Sequence, residues 1–149
     1  MDLEPIDRFS GSYPHTVDGK NRVTIPSKWR SEPLPELFAL ADRKLGVIKL
    51  MPKAERDRRG QRVLNNPKYT AAQAKEFRRH LFGSTPECPL DKEGRILLPA
   101  DLMVQAGLTK EVTLVGAGET IEVWDRTHWK RRQEEFSPQF DRMVEEDGL

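Results

Sequence analysis

The sequence has a single cysteine, Cys88, among its 149 residues. An internal disulfide is therefore excluded, and one free thiol is typical of proteins that work in a reducing compartment. No apolar run approaches the roughly 18 to 20 residues that a membrane-spanning helix needs. Residues 1–5 lack the basic and then apolar order of a secretory signal. These absences predict a cytoplasmic protein without a membrane partner.

An excess of charge of either sign is also missing, because 25 Lys or Arg residues against 24 Asp or Glu residues leave a net charge of +1. A protein coated in positive charge is excluded, so any binding of nucleic acid must depend on local clusters of cations. Two clusters of opposite sign are present. Residues 19–30 contain four basic and no acidic side chains, whereas residues 133–149 contain six acidic side chains and one arginine. The three Trp and six Phe residues indicate a folded chain.

Patterns typical of catalytic or metal-binding sites are absent as well. The three histidines and Cys88 do not have the spacing of metal ligands. Gly116 and Gly118 lack the third glycine and the following helix of a dinucleotide site, so a hairpin turn is predicted there. No nucleophile elbow or paired-carboxylate constellation stands out. The sequence therefore predicts no enzyme activity, no metal and no cofactor.

One ten-residue phrase occurs twice in the chain. Residues 17–26 are VDGKNRVTIP and residues 90–99 are LDKEGRILLP, with Asp, Arg and Pro at the same three positions. Each copy predicts a strand, a polar turn and a second strand, which the proline ends because it has no amide hydrogen to donate. A short helical stretch follows each proline, with Ser27 as a predicted N-cap in the first copy and Gly107 as the helix end in the second.

The duplication predicts the fold class and the domain organisation. A four-stranded unit of this size cannot bury enough apolar surface alone, whereas two units that share strands can close one small barrel. We therefore expect a mainly β protein with helices (α+β). The expected domains are a first β domain over 9–55, a helical connector over 56–84, a second β domain over 85–128 and a helical tail over 129–149. In the tail, Ser137 and Pro138 predict a new helix start.

The two Asp-x-x-x-Arg phrases and the run IEVWD at residues 121–125 resemble the MraZ family, whose members carry two SpoVT-AbrB-type domains. The resemblance covers residues 9 to about 136. It implies a double swapped-hairpin β-barrel of the AbrB type, a homo-oligomeric ring, and a bacterial transcription regulator associated with the nucleoid. The implied partner is double-stranded DNA with short tandem repeats ahead of the division and cell-wall gene cluster, and binding usually represses that cluster.

Two features depart from the family pattern. The chain begins with about eight extra residues, 1–8, and the first turn has Asn21 where glycine is more usual before the arginine. Because asparagine tolerates the left-handed backbone conformation nearly as glycine does, we expect the turn to survive.

The aspartate and the arginine of each phrase are predicted to structure the turn. Asp18 and Asp91 can accept backbone amides across a tight turn, and Arg22 or Arg95 can fold back toward the carboxylate. Because both copies keep this pair, a specific function is expected in the differences between the copies. Residues 19–30 carry a charge of +4, whereas their counterparts 92–103 carry no net charge.

The first turn is therefore the predicted DNA-binding element. We expect Arg22 to read bases, because a guanidinium can contact O6 and N7 of guanine together, and Asn21 to assist by reading adenine. Lys20, Lys28 and Arg30 are expected to position the protein on phosphates. A solvated basic rim without a binding role is the alternative interpretation of these residues.

Assembly is predicted to matter for affinity. One turn can neutralise only a few phosphates, so several turns on one oligomer should bind a row of short repeats far more tightly than one repeat. The competing hypothesis is an oligomeric protein-interaction or antitoxin-like module that acts through its acidic tail. A small hydrolase that uses Asp18 or Asp91 is a third possibility, and it needs a pocket that the sequence does not suggest.

Overall fold

A computed structural model of the chain describes residues 8–30 and 36–149. Residues 1–7, which make up most of the predicted N-terminal extension, and residues 31–35 lie outside the described residues. The strands are β1 (Ser12–Thr16), β2 (Arg22–Thr24), β3 (Leu37–Asp42), β4 (Val47–Pro52), β5 (Arg95–Leu97), β6 (Glu111–Gly116) and β7 (Ile121–Asp125). The helices are α1 (Lys53–Leu64), α2 (Ala71–Gly83), α3 (Ala100–Ala106) and α4 (Arg126–Asp147), and a 3-10 turn at Ser27–Trp29 follows β2.

The two sequence repeats are interlocked through their strands. The main sheet has the order β1-β6-β7-β4-β3, and β2 pairs with β5 in a separate two-stranded ribbon. Three antiparallel pairs, β1–β6, β2–β5 and β4–β7, each join a strand of the first repeat to a strand of the second. The segment before the second phrase pairs with β3, since Ala39 N donates to Pro86 O and Cys88 N donates to Leu37 O. Each repeat keeps one strand pair within itself, β3–β4 in the first and β6–β7 in the second, and its other strands pair with the other repeat.

The predicted α+β class is confirmed, because the described residues form seven strands in antiparallel sheets together with four α-helices. A closed barrel is not: within residues 8–30 and 36–149, the hydrogen-bonded ladders form an open five-stranded sheet and a separate ribbon. Pro26 and Pro99 follow soon after the ends of β2 and β5, and neither residue has an amide hydrogen with which to extend the ladder. The ribbon instead covers the sheet by side-chain packing.

The main core lies between the sheet, the ribbon and α3. Strand alternation directs one set of side chains from the ribbon and from the central strands into a single buried cluster. Its fully buried members include Val23, Ile25, Ile96, Leu98, Ile48, Leu50, Leu114 and Ile121. A smaller cluster of Val47, Val115 and Trp124 packs with Leu45 and with Trp129 at the start of α4. Two of the three tryptophans, Trp29 and Trp124, are therefore core residues.

Of three predicted helix boundaries, the end of α3 at Gly107 is confirmed and the other two are wrong. Asp125 caps α4 by accepting the amide of His128, and Gly107 ends α3 in the left-handed conformation. The predicted cap at Ser27 is wrong, because the 3-10 turn starts after Pro26 and has no side-chain cap. The predicted helix start at Ser137 and Pro138 is also wrong, since α4 continues through both residues. The helix is exposed there, so water can satisfy the carbonyl that the proline leaves without a donor.

Helices α1 and α2 form a hairpin against β3 and β4. The buried carboxylate of Glu55 accepts two hydrogen bonds from Arg58, both of 2.8 Å, and one of 2.7 Å from Arg59 Nε. The guanidinium of Arg56 lies between two aromatic rings, 4.1 Å from the centre of Phe38 and 4.6 Å from that of Phe82. Arg56 therefore links α1 to β3 and to α2, whereas the contacts of Arg58 and Arg59 with Glu55 lie within α1.

Candidate nucleic-acid interface

The first Asp-x-x-x-Arg turn is built around the carboxylate of Asp18. Its Oδ1 accepts the amides of Lys20 at 2.8 Å and Arg22 at 2.9 Å, while its Oδ2 accepts Arg22 Nε at 2.8 Å. The backbone closes the turn, because Asn21 N donates to Asp18 O and Asp18 N donates to Arg22 O. The arginine is thereby held by one edge of its guanidinium.

The second turn has the same geometry. Asp91 Oδ1 accepts the amides of Glu93 and Arg95, and Asp91 Oδ2 accepts Arg95 Nε, each at 2.9 Å. Asn21 and Gly94 occupy equivalent positions with φ of 60° and 76°, in the left-handed region. The expected survival of the first turn with asparagine is confirmed, because an asparagine side chain is tolerated in this conformation.

Both turn carboxylates have a pKa below the usual range of aspartate. The amide of Arg22 is the main cause at Asp18, and the amide of Arg95 is the main cause at Asp91, with the arginine side chains adding to each shift. A hydrogen bond to the charged form of a carboxylate favours that form. Both turns are therefore fixed by ionised carboxylates near neutral pH.

The turns differ in what surrounds the arginine. In the second turn, Arg95 Nη2 also donates to the carboxylate of Glu93, at 3.3 Å. Lys20 stands at the position equivalent to Glu93, and it uses only its backbone amide to hold the turn. Within the part of the chain that the structure describes, the terminal nitrogens of Arg22 have no hydrogen-bond partner. The first turn thus presents the donors of an oriented guanidinium, and the second turn uses one of them internally.

The ribbon brings both arginines to one surface. Arg22 pairs with Leu97 and Thr24 pairs with Arg95, and directly opposed residues of an antiparallel pair point to the same side. The intervening pair, Val23 and Ile96, is buried in the core, so the other two pairs form the outer face of the ribbon. We call these four residues, Arg22, Thr24, Arg95 and Leu97, the ribbon face. Leu97 is 57% exposed in this position.

Sequence reasoning did not single out Thr24 and Leu97. The alternation of side chains in a strand could have identified them. Because Val23 and Ile96 point into the core, the residues that follow them, Thr24 and Leu97, point outward. The pairing of β2 with β5 was the missing information. Without that pairing, the two phrases appear as separate turns.

The remaining predicted phosphate contacts lie at two places. Lys28 is exposed on the 3-10 turn that follows β2. Arg30 folds back, with its Nε donating to Ile25 O at 2.8 Å, and its guanidinium lies over Gly94. A Cβ atom built on Gly94 would lie 2.5 Å from Arg30 Cζ. Arg30 therefore comes from the first repeat but lies beside the second turn.

Aromatic side chains pack in the core beneath the ribbon. Trp29 is buried, its Nε1 donates to Ser10 O at 3.2 Å, and its ring meets Phe9 and Tyr13 edge to face at 5.9 and 5.3 Å between centroids. These contacts connect the 3-10 turn that carries Lys28 to the N-terminal end of β1. Lys28 is thus attached to a packed aromatic cluster.

Other kinds of site are not apparent where the chain is described. No group of three His, Cys, Asp or Glu side chains in residues 8–30 and 36–149 is arranged to hold a metal ion. None of the described helices combines the length and the apolar character that crossing a bilayer requires. A two-stranded β-ribbon, by contrast, has dimensions that the major groove of B-DNA admits.

Comparison with known proteins gives one consistent result. A family profile described as "MraZ protein, putative antitoxin-like" matches residues 81–147. The chain is similar to the transcriptional regulator MraZ of Heliobacterium modesticaldum, with 36% identity over 92% of this chain and 94% of the relative. It is also similar to the proteins of the same name from Moorella thermoacetica, with 37% identity, and Lactiplantibacillus plantarum, with 35% identity. Those alignments cover 92% of this chain and 94% and 96% of the relatives.

Proposed function

This chain belongs to the MraZ family of transcriptional regulators, and we propose that it binds double-stranded DNA through the ribbon face and the first turn. The proposal depends mainly on how the guanidinium of Arg22 is hydrogen-bonded. Asp18 accepts a hydrogen bond from Arg22 Nε at 2.8 Å, and the terminal nitrogens of Arg22 have no partner among residues 8–30 and 36–149. Guanine O6 and N7 accept a bidentate contact from an arginine held in this way.

The residues around Arg22 add an amide, several cations and an aliphatic side chain to the proposed DNA-binding surface. Asn21 is adjacent to Arg22 and can read adenine, while Lys20 and Lys28 are exposed and can contact phosphates as point charges. Arg30 can contact phosphate on the side of the second turn. Leu97 faces outward opposite Arg22, and an exposed aliphatic side chain in the major groove contacts the methyl group of thymine. The expected site therefore has a thymine close to the guanine that Arg22 contacts.

Several subunits are needed for tight binding. A single ribbon face neutralises few phosphates, so we propose a homo-oligomeric ring whose turns bind short tandem repeats together. By the family resemblance, these repeats lie ahead of the division and cell-wall gene cluster, and the protein represses it in the cytoplasm as part of the nucleoid.

The test is a protection assay on the DNA that precedes the protein's own gene, followed by titration with the protected duplex. Loss of one bidentate contact costs about 1–3 kcal/mol, or about 5- to 150-fold in affinity. Arg22→Ala should weaken binding by that factor for each engaged subunit, whereas Arg131→Ala on α4 should not. The oligomer mass is measured in parallel. Unchanged affinity of an Arg22→Ala oligomer for the protected site would refute the assignment.

The role of Leu97 is tested by replacing single thymines with uracil, which removes only the methyl group. At one position of the protected site, uracil should weaken binding by the wild type but not further weaken binding by Leu97→Ala. If every position has the same effect in both proteins, Leu97 does not contact a thymine methyl. Duplexes with one, two and four repeats then test the dependence on repeat number, and equal affinity for all three would contradict assembly on tandem sites.

A further inference from the structure

The side chain of Glu93 distinguishes the hydrogen bonding of the second turn from that of the first. Its Oε2 accepts a hydrogen bond from Arg95 Nη2 at 3.3 Å, and the side chain is 65% exposed. Within residues 8–30 and 36–149, its Oε1 has no hydrogen-bond partner. The turn itself uses only the backbone amide of Glu93, which Asp91 accepts at 2.9 Å. The carboxylate therefore lies beside a guanidinium, although the structure of the turn does not require its charge.

Arg95 and Glu93 together present donors and an acceptor in a fixed order. Asp91 accepts the Nε of Arg95 at 2.9 Å, and Glu93 accepts its Nη2. Each terminal nitrogen of a guanidinium carries two hydrogens, so Nη2 retains one donor beyond this bond. Nη1 has no hydrogen-bond partner in the part of the chain that the structure describes. Because Nη2 is the nitrogen next to the carboxylate, the order is Nη1, Nη2 and then the carboxylate oxygen.

This order matches the major-groove edge of a G·C base pair. Guanine presents the acceptors N7 and O6, and its cytosine presents the amino group N4 as a donor. Arginine contacts O6 and N7 together, and glutamate accepts a hydrogen bond from N4 of cytosine. An A·T pair presents an acceptor, a donor and an acceptor instead, so it would oppose donor to donor and acceptor to acceptor. The Glu93 and Arg95 side chains are therefore complementary to G·C and not to A·T.

The charges around Glu93 allow a carboxylate to approach DNA. Residues 91–95 contain two acidic and two basic side chains, for a net charge of zero. Arg30 adds a cation from the first repeat, because a Cβ atom built on Gly94 would lie 2.5 Å from its Cζ. Gly94 separates Glu93 from Arg95 in the sequence. The surroundings of Glu93 thus carry a net positive charge, which offsets its repulsion of phosphate.

The ribbon determines how far Arg95 lies from Arg22. Arg22 is opposite Leu97 in the ladder, and Arg95, two residues before Leu97, is a diagonal neighbour of Arg22. Side chains in this relation are about 7–8 Å apart, and successive base pairs of DNA are about 3.4 Å apart along the helix axis. In a ribbon that lies along the groove, the two arginines therefore reach bases about two steps apart.

We propose that Glu93 is a specificity-determining residue that accepts a hydrogen bond from N4 of a cytosine, while Arg95 donates to O6 and N7 of the paired guanine. This G·C pair lies about two steps from the guanine that Arg22 contacts. Lys20, at the equivalent position of the first turn, has no acceptor oxygen. The first turn therefore contributes cations for affinity, and the second turn adds a donor and acceptor pattern that excludes other base pairs.

The inference rests on the proposed function, because it requires the ribbon face to contact DNA. The test uses one-repeat duplexes of the protected site, each with one base pair changed, and measures binding by fluorescence anisotropy. Affinity for each changed duplex relative to the parent duplex gives the preference of a protein at that position. General effects of charge cancel in this ratio, so it reports base recognition alone.

The wild type should prefer G·C to A·T by about 5- to 150-fold at the position that the second turn contacts. Glu93→Ala should reduce this preference by about fivefold or more. Arg22→Ala should reduce the preference at a different position, about two steps away. Glu87→Ala removes an exposed carboxylate outside the ribbon and should leave every preference unchanged. Circular dichroism checks that each variant is folded.

A modified base tests the single hydrogen bond. N4-methylcytosine still pairs with guanine, but its methyl group takes the place of the amino hydrogen that faces the major groove. At the position identified by Glu93→Ala, this base should weaken binding by the wild type about fivefold or more. It should leave binding by Glu93→Ala unchanged, because that variant has no carboxylate to accept the hydrogen bond.

A uniform gain in affinity of Glu93→Ala for every duplex, with unchanged preferences, would mean that Glu93 only repels phosphate and would overturn the proposal. Equal effects of N4-methylcytosine on the wild type and on Glu93→Ala would overturn it as well. Failure of the proposed function gives a different result, since Arg22→Ala would then bind the protected duplex with unchanged affinity. Weaker binding by Arg22→Ala without any preference that depends on Glu93 refutes only the role of Glu93.

Discussion

The contrast between Lys20 and Glu93 leads to a quantitative prediction about salt dependence. Each residue holds its turn only through its backbone amide, at 2.8 and 2.9 Å from the aspartate, so either side chain can change without loss of the turn. Glu93 also accepts a hydrogen bond from Arg95 at 3.3 Å, but an exposed pair of this kind contributes little to stability because water and salt screen it. Lys20→Glu and Glu93→Lys should therefore change the charge of the surface by two units and leave the free energy of unfolding nearly unchanged.

The effect on DNA binding follows from counterion release. Each neutralised phosphate contributes about −0.9 to the slope of log affinity against log salt concentration. Lys20→Glu should flatten the slope by about 0.9 for each engaged subunit, measured by fluorescence anisotropy with a one-repeat duplex. Glu93→Lys should steepen it by less, because the second turn lies one ribbon length farther along the surface. A slope that responds to Glu93→Lys and not to Lys20→Glu would refute the assignment of the first turn as the contact.

Three further predictions concern stability and reactivity. Gly116→Ala should lower the free energy of unfolding by about 1–3 kcal/mol in urea titrations, because a Cβ there would lie 2.6 Å from the backbone carbon of Phe9. Gly83→Ala, with no atom within 4 Å of the added Cβ, is the control, and equal midpoints would contradict the close approach. Burial and then the charge of Arg126 lower the pKa of His15 below 6.5, so the unfolded chain binds the proton more readily. Stability should therefore fall as the pH drops below about 6.5, and His15→Gln should reduce that slope. Burial raises the pKa of Cys88 to about 11, so a thiol reagent at pH 8 should label it only when the chain is unfolded, and rapid labelling of the folded protein would contradict its burial.

Much of the local structure could be predicted because it depends on neighbours in the sequence. The turn at Asp18 needs only residues 18–22, and the end of α3 needs only Gly107, so short-range rules were sufficient for both. The predicted helix start at Ser137 failed for a related reason. A Ser-Pro pair favours a helix start, but an exposed helix tolerates the loss of one hydrogen bond, and α4 continues.

The composition of the ribbon face could not be predicted, because it depends on contacts between residues about 75 positions apart. Nothing near Leu97 in the sequence indicates that it lies opposite Arg22, and nothing near Arg30 indicates that it lies over Gly94. The open sheet is a second example. Two repeats that share strands allow a closed barrel in principle, but closure needs a hydrogen-bonded ladder between the ribbon and the sheet, and the described strands form none.

The way the turn is built explains how duplicated units can diverge in charge. Every hydrogen bond that closes either turn comes from the backbone or from the aspartate and arginine side chains. The side chain two residues after the aspartate points into solvent in both copies, so folding places almost no constraint on its charge. In the first copy the residue at this position is Lys20, next to the guanidinium of Arg22. In the second copy it is Glu93, which accepts a hydrogen bond from the guanidinium of Arg95. Because β2 and β5 are paired, both versions lie on one surface, and the charge of that surface varies at two positions whose side chains the fold hardly constrains.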